Sequence, residues 1–289
     1  MSAVLNSTPS SRPAVLEWLP VLAGLLVLYV PTFYDLSNSL WREDEYAHGP
    51  IILGVVAWLM WRQRRVLMTA PPEPAPITGI GMTVFGLLTY VLGRFINASS
   101  LEVGALVPIL AGTLLAMRGW PVLRAFWFPI LFVVFMVPLP GFLVDALTGP
   151  LKQQVSQIAE HILYALGYPI ARDGVMLTIG RYQLLVADAC SGLNSMLSLS
   201  ALGLLYLYLM RHGSWLHNGL ILLCVLPIAF TANIIRVLIL VLVTYHFGDA
   251  AGQSFLHGGA GIVLLLTALT IILLLDAILS RLMRPQERA

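Results

Sequence analysis

Eight apolar runs, most of them about as long as a bilayer is thick, constrain this chain more than any other feature. A helix needs about 20 apolar residues to cross about 30 Å of hydrocarbon, and a soluble core has no use for so many such segments. The runs fall at roughly 16–33, 48–61, 77–93, 101–117, 125–144, 190–210, 217–247 and 257–280. Only 10% of the residues are charged and 58% are hydrophobic, whereas soluble domains carry about 25% charged residues. The expected fold class is therefore an all-α polytopic membrane protein of about eight transmembrane helices, forming one integral membrane domain over 1–289. The first run lacks a small-x-small cleavage site at its end, so it is expected to be a retained span. The second run is short, as in a tilted or partly interfacial segment. The seventh is long: either one tilted helix protruding from the bilayer, or two pieces broken near Pro227. A break there would put residues 190 and 257 on opposite sides of the membrane.

Charge orients the spans. With both termini cytoplasmic, Arg12, Arg62, Arg64, Arg65, Arg118, Arg124, Arg211, Arg281, Arg284 and Arg288 lie inside, and Arg42, Arg94, Lys152, Arg172 and Arg181 outside. That bias follows the positive-inside rule. A net charge of +2 is too small to point to nucleic acid. Two cysteines, Cys190 and Cys224, make neither a disulfide framework nor a zinc site, and no cofactor or metal is called for.

The largest outer segment is 145–189. Leu151, Val155, Ile158, Ile162 and Leu166 recur at helical spacing, which reads as an interfacial amphipathic helix. Val175 to Val186 then holds two β-prone apolar runs around Gly180-Arg181, which reads as a short β-hairpin. The hairpin leads directly to Ala187-Asp188-Ala189-Cys190-Ser191-Gly192.

Cys190 is expected in the first turn of the sixth span. Unpaired backbone N–H groups and the helix dipole there favour a thiolate; the alternative is a small residue at a helix start. The N–H groups of Ser191 and Gly192 would also suit a developing oxyanion, and Asn194 lies on the helical face below. Arg236 stands among apolar residues in Asn233-Ile234-Ile235-Arg236-Val237-Leu238. A charge inside a membrane segment is a functional-site hypothesis by default, against snorkelling to headgroups. Asn233 shares its face. His257, before Gly258 and Gly259, opens the last span as a general base or an interfacial cap, and its glycines would allow close approach of another helix. His48, in Tyr46-Ala47-His48-Gly49, is an outer candidate for a supporting role, as is Asp188. His212 and His217 are read as facing the cytoplasm, and the deeply placed Cys224 as structural.

At these residues the chain resembles a known family. Ala189-Cys190-Ser191-Gly192, Asn233-Ile234-Ile235-Arg236 and His257-Gly258, in that order, look like the three signature blocks of the exosortase/archaeosortase family. Tyr46-Ala47-His48-Gly49 and Trp61-Arg62-Gln63-Arg64-Arg65 are similar to its N-terminal region. Asp188 through Met196 also looks like the exosortase B subtype. The resemblance implies a bacterial inner-membrane cysteine protease/transpeptidase with Cys190, Arg236 and His257 catalytic. It implies as partner the C-terminal tripartite sorting signal of exported proteins (a Pro-Glu-Pro-type motif, a transmembrane helix and a basic tail), and a setting of exopolysaccharide production. Besides that signal and the lipid bilayer no partner is read, and the oligomeric state stays open. The alternative is a transporter or polysaccharide-assembly subunit without thiol catalysis. A transporter would show repeated halves, and none is visible.

Overall fold

A computed structural model describes residues 14–43, 46–71, 73–185, 192–210 and 214–283. The chain divides into two compact units, Met1–Pro138 and Leu139–Ala289. The boundary falls at Pro138-Leu139-Pro140, where two prolines deny the backbone the donors a helix needs. Among the described residues, five helices are long and apolar enough to cross a membrane: Leu16–Asn38, Pro76–Phe95, Ser99–Arg118, Trp215–Phe247 and Ala260–Leu282. Three shorter apolar helices, Gly49–Arg62, Trp127–Met136 and Leu197–Met210, accompany them. The protein is thus a helical, multi-pass membrane protein with a small sheet.

The first unit contains α1 (Ala14–Asn38), α2 (Gly49–Arg62), α3 (Arg64–Thr69), α4 (Pro76–Phe95), α5 (Ser99–Gly104), α6 (Leu106–Arg118), α7 (Trp120–Ala125) and α8 (Trp127–Phe132). α4 packs along α5 and α6 through glycines seven residues apart. A methyl group at Gly79 would meet the backbone of Ala116, one at Gly86 would meet Ile109, and one at Gly93 would meet Leu101 and Glu102. With no hydrophobic force between helices in lipid, such backbone approach is what holds them together. The seam ends at buried Glu102, whose carboxylate accepts from Thr32 Oγ1 and Arg94 Nη1, both at 3.2 Å. Arg94 also reaches Asp35 at 2.8 Å. Residues 125–144 are not one rod: α8 gives way to a 3-10 turn over Val133–Met136, then to the Pro138–Pro140 break.

The second unit begins with α9 (Gly141–Ala165), followed by β1 (Ile170–Asp173), β2 (Met176–Ile179) and β3 (Tyr182–Leu185). The strands make an antiparallel sheet in the order β1-β2-β3, with Gly180 at φ 56° in the turn between β2 and β3. The hairpin expected around Gly180-Arg181 is present, and β1 adds a third strand to it. Three further helices complete the unit, α10 (Gly192–Met210), α11 (Trp215–Phe247) and α13 (Ala260–Leu282). The short α12 (Asp249–Ser254) and a π-helical turn, Phe255–Gly259, lie between the last two.

α11 is continuous through Pro227, so one hydrogen bond is lost without ending the helix. Ser214 caps its start by accepting from His217 N–H, and Gly248, at φ 88°, ends it. Its 33 residues span about 50 Å, well beyond about 30 Å of hydrocarbon.

Two cores divide that length. Toward the N-terminus, Ile228, Ala229 and Ala232 pack with Leu199 and Tyr206 of α10 and Leu264, Ala268 and Ile272 of α13. Toward the C-terminus, Val237, Leu240 and Val241 pack with Val155, Ala159 and Leu163 of α9 and Leu177, Ile179 and Leu184 of the sheet. The buried stripe of α9 is therefore 155, 159 and 163, while Ile162 and Leu166 are exposed. Small residues decide this: Ala159 and Ser156 let the sheet come close, and Ser156 Oγ donates to Gly174 O at 3.1 Å.

Candidate functional site

At the junction of these two cores α11 carries two buried polar residues. Ala232 belongs to the lower cluster and Val237 to the upper; Asn233 and Arg236, three residues apart on one face, lie between and are 4% and 5% exposed. The place has a physical cause. The exposed Trp215 anchors the start of α11 as interfacial aromatics do, and Arg236 follows 21 residues later, about 32 Å along the axis. With Trp215 at one interface, that distance would bring the guanidinium to the edge of about 30 Å of hydrocarbon, where a charge costs less than at its centre.

A hydrogen-bonded group at the other end of the three-helix core serves as a ruler. Tyr206 Oη donates to Asp276 Oδ2 at 2.7 Å, and His217 Nε2 lies 2.6 Å from Asp276 Oδ1. This joins α10, α11 and α13 near one end of the core, with residue 217 of α11 beside residue 276 of α13. Counting away from it, Arg236 is 19 residues along α11 and His257 is 19 residues back from Asp276. At 1.5 Å per residue both stand about 28 Å from the group, and so at the same height. α10 begins at Gly192, 14 residues from Tyr206 or about 21 Å along its axis.

His257 is the middle residue of the π-helical turn Phe255–Gly259. Single π turns inside α-helices are frequent at functional sites. Among the described residues, a methyl at Gly258 or Gly261 meets nothing within 4 Å, and one at Gly259 meets the ring of Phe255. Phe255 and Leu256 pack on the sheet cluster, and Ala260 is buried below, so the turn spans the same junction as Arg236.

Asp188, Cys190 and Ser191 lie outside the described residues. Gly192 is the first residue of α10 and Asn194 is in its first turn. His48 belongs to the first unit, half-buried just before α2. Cys224 lies partly buried against the three-helix core. The described residues bring Arg236 and the backbone of His257 to about one level, with Asn233 one turn away on α11. They hold no group of three His, Cys, Asp or Glu side chains fit for a metal ion. His217, expected toward the cytoplasm, is instead buried against Asp276. The signal for this group was present in Asp276 itself, an acid within Leu273-Leu274-Leu275-Asp276-Ala277-Ile278.

A family model described as transmembrane exosortase matches residues 40–274. No curated protein and no solved structure matches the chain.

Proposed function

The chain belongs to the transmembrane exosortase family, and on that premise we propose that it is a cysteine peptidase/transpeptidase that cleaves exported proteins at a C-terminal PEP-CTERM-type signal. Cys190, Arg236 and His257 carry the reaction. The observation that supports this most directly is the burial of Arg236 at the height of His257, on helices beside the one that begins two residues after Cys190. A guanidinium buried within a helix bundle in this way is a functional-site hypothesis by default.

In the proposed reaction the Cys190 thiol loses its proton to His257, and the thiolate sulfur attacks the carbonyl carbon of the scissile peptide. The carbonyl oxygen takes up the negative charge as the C–S bond forms, and Arg236, with N–H groups at the head of α10, stabilises it. The C–N bond then breaks, the leaving amine takes the proton from the histidine, and a thioester remains. Water or an amine acceptor attacks the thioester and returns the thiol. Asn233 and Asn194 hold the surrounding groups. The distribution of arginines favours a site on the outer side with both termini cytoplasmic, and the family resemblance implies that the membrane is a bacterial inner membrane.

The test is co-expression with a signal-bearing substrate. Wild-type protein is expected to process it through a thioester that hydroxylamine releases, and Cys190→Ala to leave it uncleaved. An impermeant maleimide added to intact spheroplasts is expected to label Cys190 below pH 7. Processing that survives Cys190→Ala would end the proposal.

A further inference from the structure

Polar side chains that the proposed reaction does not use also lie buried or partly buried in the second unit. Tyr206, His217 and Asp276 come from three different helices, and His217 is 3% exposed. The two oxygens of one carboxylate are divided between a phenol at 2.7 Å and an imidazole nitrogen at 2.6 Å. These are the short distances of hydrogen bonds to a charged partner. The three helices joined are those associated with the proposed catalytic residues: α10 follows Cys190, α11 carries Arg236, and α13 continues from the turn that holds His257.

The spacing gives the group a use. Apolar helix contacts such as those of Ala229, Ala232, Leu264 and Ala268 exclude lipid and fix register through packing, but they are non-directional. A carboxylate shared by two donors adds a directional restraint. We propose that the Tyr206–Asp276–His217 group is a positioning lock, which sets the axial register of α10, α11 and α13 and so brings Arg236 to the height of His257 about 28 Å away. The inference rests on the proposed site for what the register serves. A slip of one residue on α11 would displace the guanidinium by about 1.5 Å. Misplacement of about 1 Å at a reacting centre costs on the order of a hundredfold in rate.

The experiment uses the full-length protein in membranes and compares Asp276→Leu, which removes both acceptors, with Asp276→Asn, which keeps an acceptor for His217 and a polar partner for Tyr206. Register is read without catalysis from a Gly203→Cys/Val225→Cys pair in a Cys190→Ala, Cys224→Ser background. A Cβ at Gly203 of α10 stands 3.5 Å from that of Val225 on α11, within disulfide range. We expect Asp276→Leu to slow oxidative cross-linking of this pair and to lower processing per molecule in the membrane by about tenfold or more. The same variant should move the alkylation midpoint of Cys190 up toward that of a free thiol, near pH 8.5. Asp276→Asn should restore all three readouts.

An Asp276→Leu protein that is merely less abundant, with cross-linking, midpoint and turnover per molecule unchanged, would reduce the group to a stabilising contact and overturn the proposal. An Asp276→Asn protein as inactive as Asp276→Leu but with normal cross-linking would assign the role to charge and overturn it equally. Should Cys190 prove dispensable for processing, the catalytic reading fails by itself and cross-linking still decides whether the group holds register.

Discussion

Asn233 and Arg236 occupy the few residues of α11 at which one buried core hands over to another. A lysine in place of Arg236 would keep the charge and lose the planar fork, which is what an oxyanion donor at fixed distance needs. Arg236→Lys is expected to reduce processing about a hundredfold or more without lowering the amount of protein in the membrane, as measured by pulse-chase against an immunoblot. Turnover within a few-fold of wild type would remove the guanidinium from the mechanism. Arg236 was legible because a charge in an apolar run announces itself, and Asp276 carries the same signal. What the chain does not display is that Tyr206 and His217 turn toward that carboxylate. Pairing between helices depends on register and rotation, which no local pattern encodes.

Elements differ in the same way. The helices of most of the apolar runs and the β2–β3 turn were legible, since length, apolarity and a Gly-Arg turn are local properties, while the run 125–144 is broken before Gly141. β1 was not, because Ile170-Ala171-Arg172-Asp173 lacks the alternation of a strand and is recruited by pairing with Met176–Ile179. The rotation of α9, which buries Ala159 and exposes Ile162, follows from how closely the sheet can approach rather than from which residues are most apolar. The glycine seam of α4 permits a sharp comparison. Gly79→Ala would place a methyl on the Ala116 backbone, while Gly81→Ala points into open space. The first is expected to cost about 1–3 kcal/mol by overpacking. The second, by removing a glycine from a helix interior, should be neutral or stabilising by up to about 1 kcal/mol. Unfolding titrations of the purified protein in mixed detergent check both, and equal effects would show that the seam is not closely packed.

At the scale of the whole molecule, a 33-residue helix in a bilayer that covers only part of it ties the chemistry to a length. Trp215 anchors one end at the interface, and Arg236 then emerges at a fixed distance from that anchor. The acyl chains of the host membrane thus decide how much water the site sees. In lipids a few carbons longer the hydrocarbon boundary rises past Arg236. The protein must then tilt or locally thin the bilayer, at fractions of a kcal/mol per Å, or submerge the guanidinium. Reconstitution in phosphatidylcholines of increasing chain length is expected to show processing that peaks at one thickness and declines on the thicker side, while the folded fraction stays constant. A flat profile would mean that the site height is not set from Trp215. With that dependence, a cell that lengthened its lipids on warming would see processing slow before any protein unfolded.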